Sequence, residues 1–171
     1  KDADYKQVLN MKTGILTTYA TWRAGSKTLK GKVEVVVCRW DPVSGLIRAE
    51  LEPSFAGQLR VEGTTWLAGS PLRLKRASSG RLSAGTASVA VYAAPNGKSS
   101  VSLASCLVSS EHLTCAVRAD GDNVEYSGDL AVSQGKRFTV SRYAAATSDT
   151  LGRLSEESVW GELNATTLMG S

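Results

Sequence analysis

One histidine and three cysteines in 171 residues leave this chain short of the side chains that most often carry covalent or metal chemistry. A single His and scattered cysteines cannot supply the four convergent ligands of a zinc site. His112 stands beside Glu111 at a predicted turn tip, with no nucleophile or orienting acid marked out around it, and reads as an exposed turn residue. No Gly-x-Ser-x-Gly elbow, P-loop or dinucleotide-binding glycine pattern occurs. No run of about 18 apolar residues offers a membrane-spanning helix, and no membrane partner is expected. The basic and apolar regions of a signal peptide are missing as well. Because residue 1 is Lys and not Met, a signal, a propeptide or a larger parent is expected to have been removed.

The carboxylates do not form the arrangement that sugar chemistry needs, which is two groups facing each other across a cleft. Glu50 and Glu52 fall on one wet face of a predicted strand, and Glu156 and Glu157 are adjacent in a predicted helix. Asp120-Gly121-Asp122-Asn123 looks like a fragment of a calcium loop without its distal glutamate, and reads as a hairpin turn. No catalytic residue, metal site or cofactor is expected. The net charge of +4 does not point to nucleic acid. Lysines and arginines are spread along the chain, and the densest group, Arg73, Lys75 and Arg76, alternates in part with Leu72 and Leu74. That is a strand with one solvated face, and no aromatics interleave with the charges to stack on bases.

What the sequence does contain is a period of two. Apolar residues make up 42% and charged residues 21%, the balance of a globular domain, and the length fits one domain over residues 1–171. Val33, Val35 and Val37 alternate with Lys32 and Glu34; Ile47, Ala49 and Leu51 with Arg48, Glu50 and Glu52; Leu59 and Val61 with Arg60 and Glu62. The rhythm returns through Val89, Val101, Leu113, Val124 and Phe138. About ten such strands, separated by Gly, Pro, Asn and Asp, predict an all-β, antiparallel two-sheet sandwich or a barrel. Asn96-Gly97 is the best single turn, since both residues tolerate positive φ. Only Ser148 to Trp160 departs from the pattern, as a short C-terminal helix capped by Ser148 or Asp149.

Two features raise questions of burial. In KVEVVVCRWD the strand becomes apolar on both sides, with Val36, Cys38 and Trp40 opposite Val35 and Val37. A strand of this kind needs cover on both faces, from a crossing loop or from a partner. In SCLVSSEHLTCAV, a turn centred on Ser110-Glu111 would set Cys106 opposite Cys115. A cross-strand disulfide is then conceivable. Two buried thiols on one inward face are the favoured alternative, given the third, unpaired Cys38.

LNMKTGILTTYATW, Leu9 to Trp22, resembles the early hairpin of glycoside hydrolase family 65, in which two apolar strands meet at a turn ending in Thr-Gly. KVEVVVCRW, GLIRAELEP and the late VSRYAAATSD follow in a similar order. The resemblance implies a large sandwich of the galactose-mutarotase type, a non-catalytic N-terminal domain of an enzyme that hydrolyses or phosphorolyses α-glucosides. It also implies an (α/α)₆ catalytic barrel elsewhere, which this chain lacks. No catalytic position of that barrel has a counterpart here, so the chain itself is expected to be inactive and to be a fragment or processed part of its parent. Carbohydrate would be a partner through the parent enzyme. Trp22, Val36, Cys38 and Trp40 are the candidate surface for docking onto the barrel, a second chain, or another copy in a homodimer. A stand-alone carbohydrate-binding or adhesion module is the alternative, using Trp22, Trp40, Trp66 and Trp160 to stack on sugar rings. A structural subunit of a larger assembly fits the same strand pattern. Asn164-Ala165-Thr166 is a glycosylation sequon, which carries meaning only for a secreted eukaryotic chain. The compartment is left open, with an extracellular or periplasmic one favoured.

Overall fold

The computed structural model describes residues 4–37, 44–65, 70–82 and 85–148. Eleven strands run through them: β1 (Lys6–Asn10), β2 (Ile15–Ala24), β3 (Lys27–Val37), β4 (Ser44–Pro53), β5 (Gly57–Thr65), β6 (Arg73–Leu82), β7 (Gly85–Ala93), β8 (Ser100–Ser109), β9 (Leu113–Asp120), β10 (Asn123–Val132) and β11 (Phe138–Ser148). They form two antiparallel sheets, one of eight strands in the order β1-β2-β3-β4-β11-β8-β7-β6 and one of three in the order β5-β10-β9. This is the expected all-β sandwich, and no helix occurs among the described residues. Ser148 closes β11, and the rest of the helix expected over 148–160 lies outside the described residues.

The opening hairpin forms as its sequence predicts. Asn10 pairs with Ile15. Its carbonyl accepts from Gly14 N–H at 2.7 Å, while its side-chain Oδ1 accepts from the amides of Lys12 and Thr13 at 3.0 and 3.2 Å. Gly14 sits at φ 73°, a conformation that costs glycine nothing and other residues a Cβ clash. Asp120-Gly121-Asp122-Asn123 is likewise a hairpin turn, between β9 and β10, with Asp120 paired to Asn123. Asp122 does structural work there. Its Oδ1 accepts from Leu74 N–H at 2.9 Å, and its Oδ2 lies 3.5 Å from Arg73 Nε, which ties the edge strand β6 to the small sheet.

One local expectation needs correction. The segment around Ser110-Glu111 is not a hairpin, because β8 pairs with β7 and β11 while β9 pairs with β10 in the other sheet. Ser110 is held by β11 instead: it donates its amide to Thr139 O at 3.0 Å, and its Oγ accepts from Thr139 N–H at 2.9 Å. The chain therefore arches from one sheet to the other. Asn96-Gly97 does turn the chain between the paired strands β7 and β8, with Gly97 at a positive φ, 68°, in a loop closed by Ala94 N–H to Ser99 O at 2.8 Å. In β6 the register shifts between Leu74 and Arg76, so the pairing skips Lys75. A bulge and a lysine on an edge strand both discourage pairing with another chain.

The core lies between the two sheets. Leu107, Phe138 and Val140 from the large sheet meet Cys115, Tyr126, Leu130 and Val132 from the small one. Ala90 and Tyr92 meet Val124 toward the β6 end. A separate buried cluster of Ala87, Val89, Ala104, Cys106 and Tyr143 occupies the opposite face of the large sheet.

Candidate docking surface

Polar groups fasten the gap between the sheets at one place. Residues 138, 140 and 142 of β11 point inward in turn, and the third is Arg142, a guanidinium where the pattern calls for an apolar side chain. Its Nε donates to Ser105 Oγ at 2.8 Å, one terminal nitrogen donates to Thr64 O at 3.0 Å, and the other donates to Thr65 Oγ1. The guanidinium also lies 5.4 Å from the centre of the Tyr126 ring. Tyr126 in turn shares a hydrogen bond with Ser88 Oγ and donates to Ser105 O at 3.4 Å, and Tyr92 donates to Thr65 O at 3.3 Å. A half-buried charge needs this density of acceptors and a ring face to replace the water it has lost. The clasp joins β5 and β10 of one sheet to β7, β8 and β11 of the other. The clue in the sequence was Arg142 itself, in phase with Phe138 and Val140.

Beyond the clasp the large sheet continues, and among the described residues no strand of the small sheet lies over it. The inner face of β1 to β4 carries Leu9, Trp22, Val37 and Ile47 at 53, 41, 68 and 43% exposure, with Val33 and Val35 half-buried among them. The outer face of the same strands is charged. Lys32 pairs with Glu34 at 2.8 Å, and Arg137 reaches Glu52 at 2.7 Å and Glu50 at 3.7 Å. The Arg137 hydrogen bond holds the Glu52 carboxyl below the usual range. Glu50 and Glu52 thus lie on one solvated face, as expected, and share one arginine.

Of the four expected docking residues, the two that the structure describes stand on opposite faces of the large sheet. Trp22 pairs with Leu29, and its ring lies over Gly31 beside Leu51, on the inner face. Val36 pairs with Leu46, one residue out of phase with Val35 and Val37, and so belongs to the outer face. Cys38 and Trp40 lie outside the described residues. So do Trp66 and Trp160 of the alternative sugar-stacking set.

Cys106 and Cys115 are both free and buried, and they do not form the expected facing pair. Cys106 belongs to the outer cluster with Tyr143, whereas its neighbour Leu107 and Cys115 belong to the inner core. The backbone of the large sheet stands between the two thiols. Burial, with a smaller contribution from Cys115, pushes the Cys106 thiol from its usual 9.0 up to about 11, and burial also raises Cys115. Both are expected to resist iodoacetamide in the folded protein, read by peptide mass spectrometry. The folded chain keeps a proton on Cys106 that the unfolded chain loses. Stability is therefore full below about pH 9 and is lost progressively as the pH rises toward 11. Urea midpoints should fall over that window, and less so in Cys106→Ala.

The sequence matches the family model described as glycosyl hydrolase family 65, N-terminal domain, over residues 2–160. The fold is similar to a protein assigned as a kojibiose phosphorylase from the human microbiome, with a TM-score of 0.79 at 13% identity. The match covers 97% of this chain and 22% of that one. No curated protein matches the sequence.

Proposed function

Because this chain belongs to glycoside hydrolase family 65, whose N-terminal domain model it matches over residues 2–160, we propose that it is the non-catalytic sandwich domain of an enzyme that cleaves α-glucosides by hydrolysis or phosphorolysis. In this reading the catalytic barrel is a separate domain that the sandwich supports, and carbohydrate is met through the parent enzyme. The observation that carries the reading is the span: 97% of this chain corresponds to 22% of the length of the phosphorylase it resembles in fold. The tie of Glu50 and Glu52 to Arg137 on an open sheet face supports it too, since an acid–base pair needs opposed carboxylates across a cleft.

The test is turnover. The purified chain, incubated with kojibiose, maltose and trehalose with and without inorganic phosphate, is expected to release neither glucose nor glucose 1-phosphate. The complete polypeptide from the same gene is expected to release one of them. Turnover by the isolated chain would overturn the proposal. A saturable change in tryptophan fluorescence with those sugars, together with an inactive full-length product, would favour a binding module instead.

A further inference from the structure

The charged outer face of β1 to β4 carries an aromatic side chain, Tyr19. Pairing sets Lys6 opposite Tyr19, Tyr19 opposite Lys32 and Lys32 opposite Glu50, so the four residues form one row across four strands. At about 4.8 Å per strand the row is roughly 14 Å long. Tyr19 keeps 44% of its surface exposed. It lines a depression of about 350 Å³ together with Thr21, Lys32, Glu50, Glu52 and Arg137. It also lines a second, of about 550 Å³, with Lys6, Asn10 and Thr17. One ring is thus shared by two hollows edged with hydrogen-bond donors and acceptors.

The charges around the ring select a ligand by what they exclude. Lys32 is bonded to Glu34 at 2.8 Å, and Arg137 reaches Glu52 at 2.7 Å and Glu50 at 3.7 Å. With both signs interleaved, a phosphate, an acidic peptide or a nucleic acid would meet repulsion as well as attraction. An apolar protein surface would strip water from these charges and replace none of its hydrogen bonds. A neutral molecule rich in hydroxyl groups suits them, because each hydroxyl both donates and accepts. The bond to Glu34, with smaller contributions from Tyr19 and Glu50, lifts Lys32 above its usual range, and Arg137 holds the Glu52 carboxyl below its own. Lys32 therefore donates and Glu52 accepts. Their ion pairs hold them in place before a ligand arrives, which lowers the ordering cost of binding. A cyclic sugar supplies the remaining feature, a flat face of C–H groups that packs on an aromatic ring.

We propose that the Tyr19 row is a binding site for a neutral oligosaccharide, with one sugar ring stacked on Tyr19 and its hydroxyls bonded by Lys32 and Glu50. The sugar is held and not cleaved, since the carboxylates stand side by side on one face. The choice of an α-glucoside as the sugar rests on the proposed function. The site itself is drawn from the ring and the charges alone.

Isothermal titration of the purified chain with maltotriose tests the proposal. Saturable binding is expected, insensitive to added salt because the ligand is neutral. In Tyr19→Ala the affinity should fall about tenfold, and Tyr19→Phe, which keeps the ring, should restore most of it. Backbone NMR of the unsubstituted chain gives a reading that needs no variant. Maltotriose should shift the amides of Tyr19, Lys32 and Glu50 and leave those of β9 in place. No binding, equal affinity in Tyr19→Ala, or shifts confined to other strands would each overturn the proposal. Tighter, salt-sensitive binding of glucose 1-phosphate would overturn it as well. The turnover assay on the complete polypeptide is separate. Turnover there without binding here sinks this inference alone, and binding at Tyr19 with an inactive polypeptide sinks the enzyme reading alone.

Discussion

Truncating Tyr126 to alanine is expected to destabilise the domain by about 3–5 kcal/mol, the range for removing a large aromatic from a packed core. Tyr126 is 1% exposed and central to the largest cluster, where it packs with Leu107, Leu130 and Val140. The substitution also removes the ring under the Arg142 guanidinium and the hydroxyl that serves Ser88 and Ser105. Tyr126→Phe separates the two contributions. It keeps the ring and leaves Ser88 Oγ and Ser105 O short of a partner, for an expected loss of about 1–2 kcal/mol. Urea denaturation followed by tryptophan fluorescence measures both. Since a domain of this kind has about 5–15 kcal/mol in all, the alanine variant should unfold several times more readily in urea than the phenylalanine variant. Equal losses would mean that packing at Tyr126 counts for little.

Gly85→Ala is expected to cost about 3 kcal/mol or more, through overpacking against backbone. A Cβ at Gly85 would stand 2.1 Å from Leu107 O and 3.1 Å from Leu107 C, in the ladder between β7 and β8. A carbonyl within a central strand cannot step aside without breaking its own pairing. Gly31→Ala is the control. Its Cβ would also stand close, 2.5 Å from a Trp22 ring carbon and 2.7 Å from a Leu51 methyl. Those are the far ends of side chains, and Trp22 is exposed enough to swing outward, so a loss of about 1 kcal/mol is expected. The melting temperatures of the two variants should rank accordingly, with Gly85→Ala well below Gly31→Ala. The reverse order would contradict the close approach at Gly85.

The strands were legible because alternation and turn chemistry are local. Val33 and Val35 against Lys32 and Glu34, or Asn10 and Gly14 closing a turn, need no knowledge of the rest of the chain. Sheet membership was not legible for the same reason. The run from Cys106 to Cys115 satisfies a hairpin and an arch equally well, because both put alternate residues on a buried side. What decides it is the bonding of Ser110 to Thr139, far along the chain. The faces of Trp22 and Val36 were hidden in a similar way. Trp22 and Val36 are each conspicuous in their own strand, but only the register of β2 on β3 shows that they stand on opposite faces. Arg142 was visible as an interruption in an apolar phase, and its partners on β5 and β8 were not.

The join between β4 and β11 sets the order in which this protein can assemble. Arg137 and Glu52, which flank that seam, are 85 residues apart in sequence. The meander of β1 to β4 can close early as it leaves the ribosome, but it waits with β4 as a bare edge until β11 has been made. Contacts of such long range pay their loop-closure entropy late and make folding slow. The ionic side chains of Arg48, Glu50 and Glu52 stand on that waiting strand, and their charge keeps it from joining a neighbour's strand before β11 arrives.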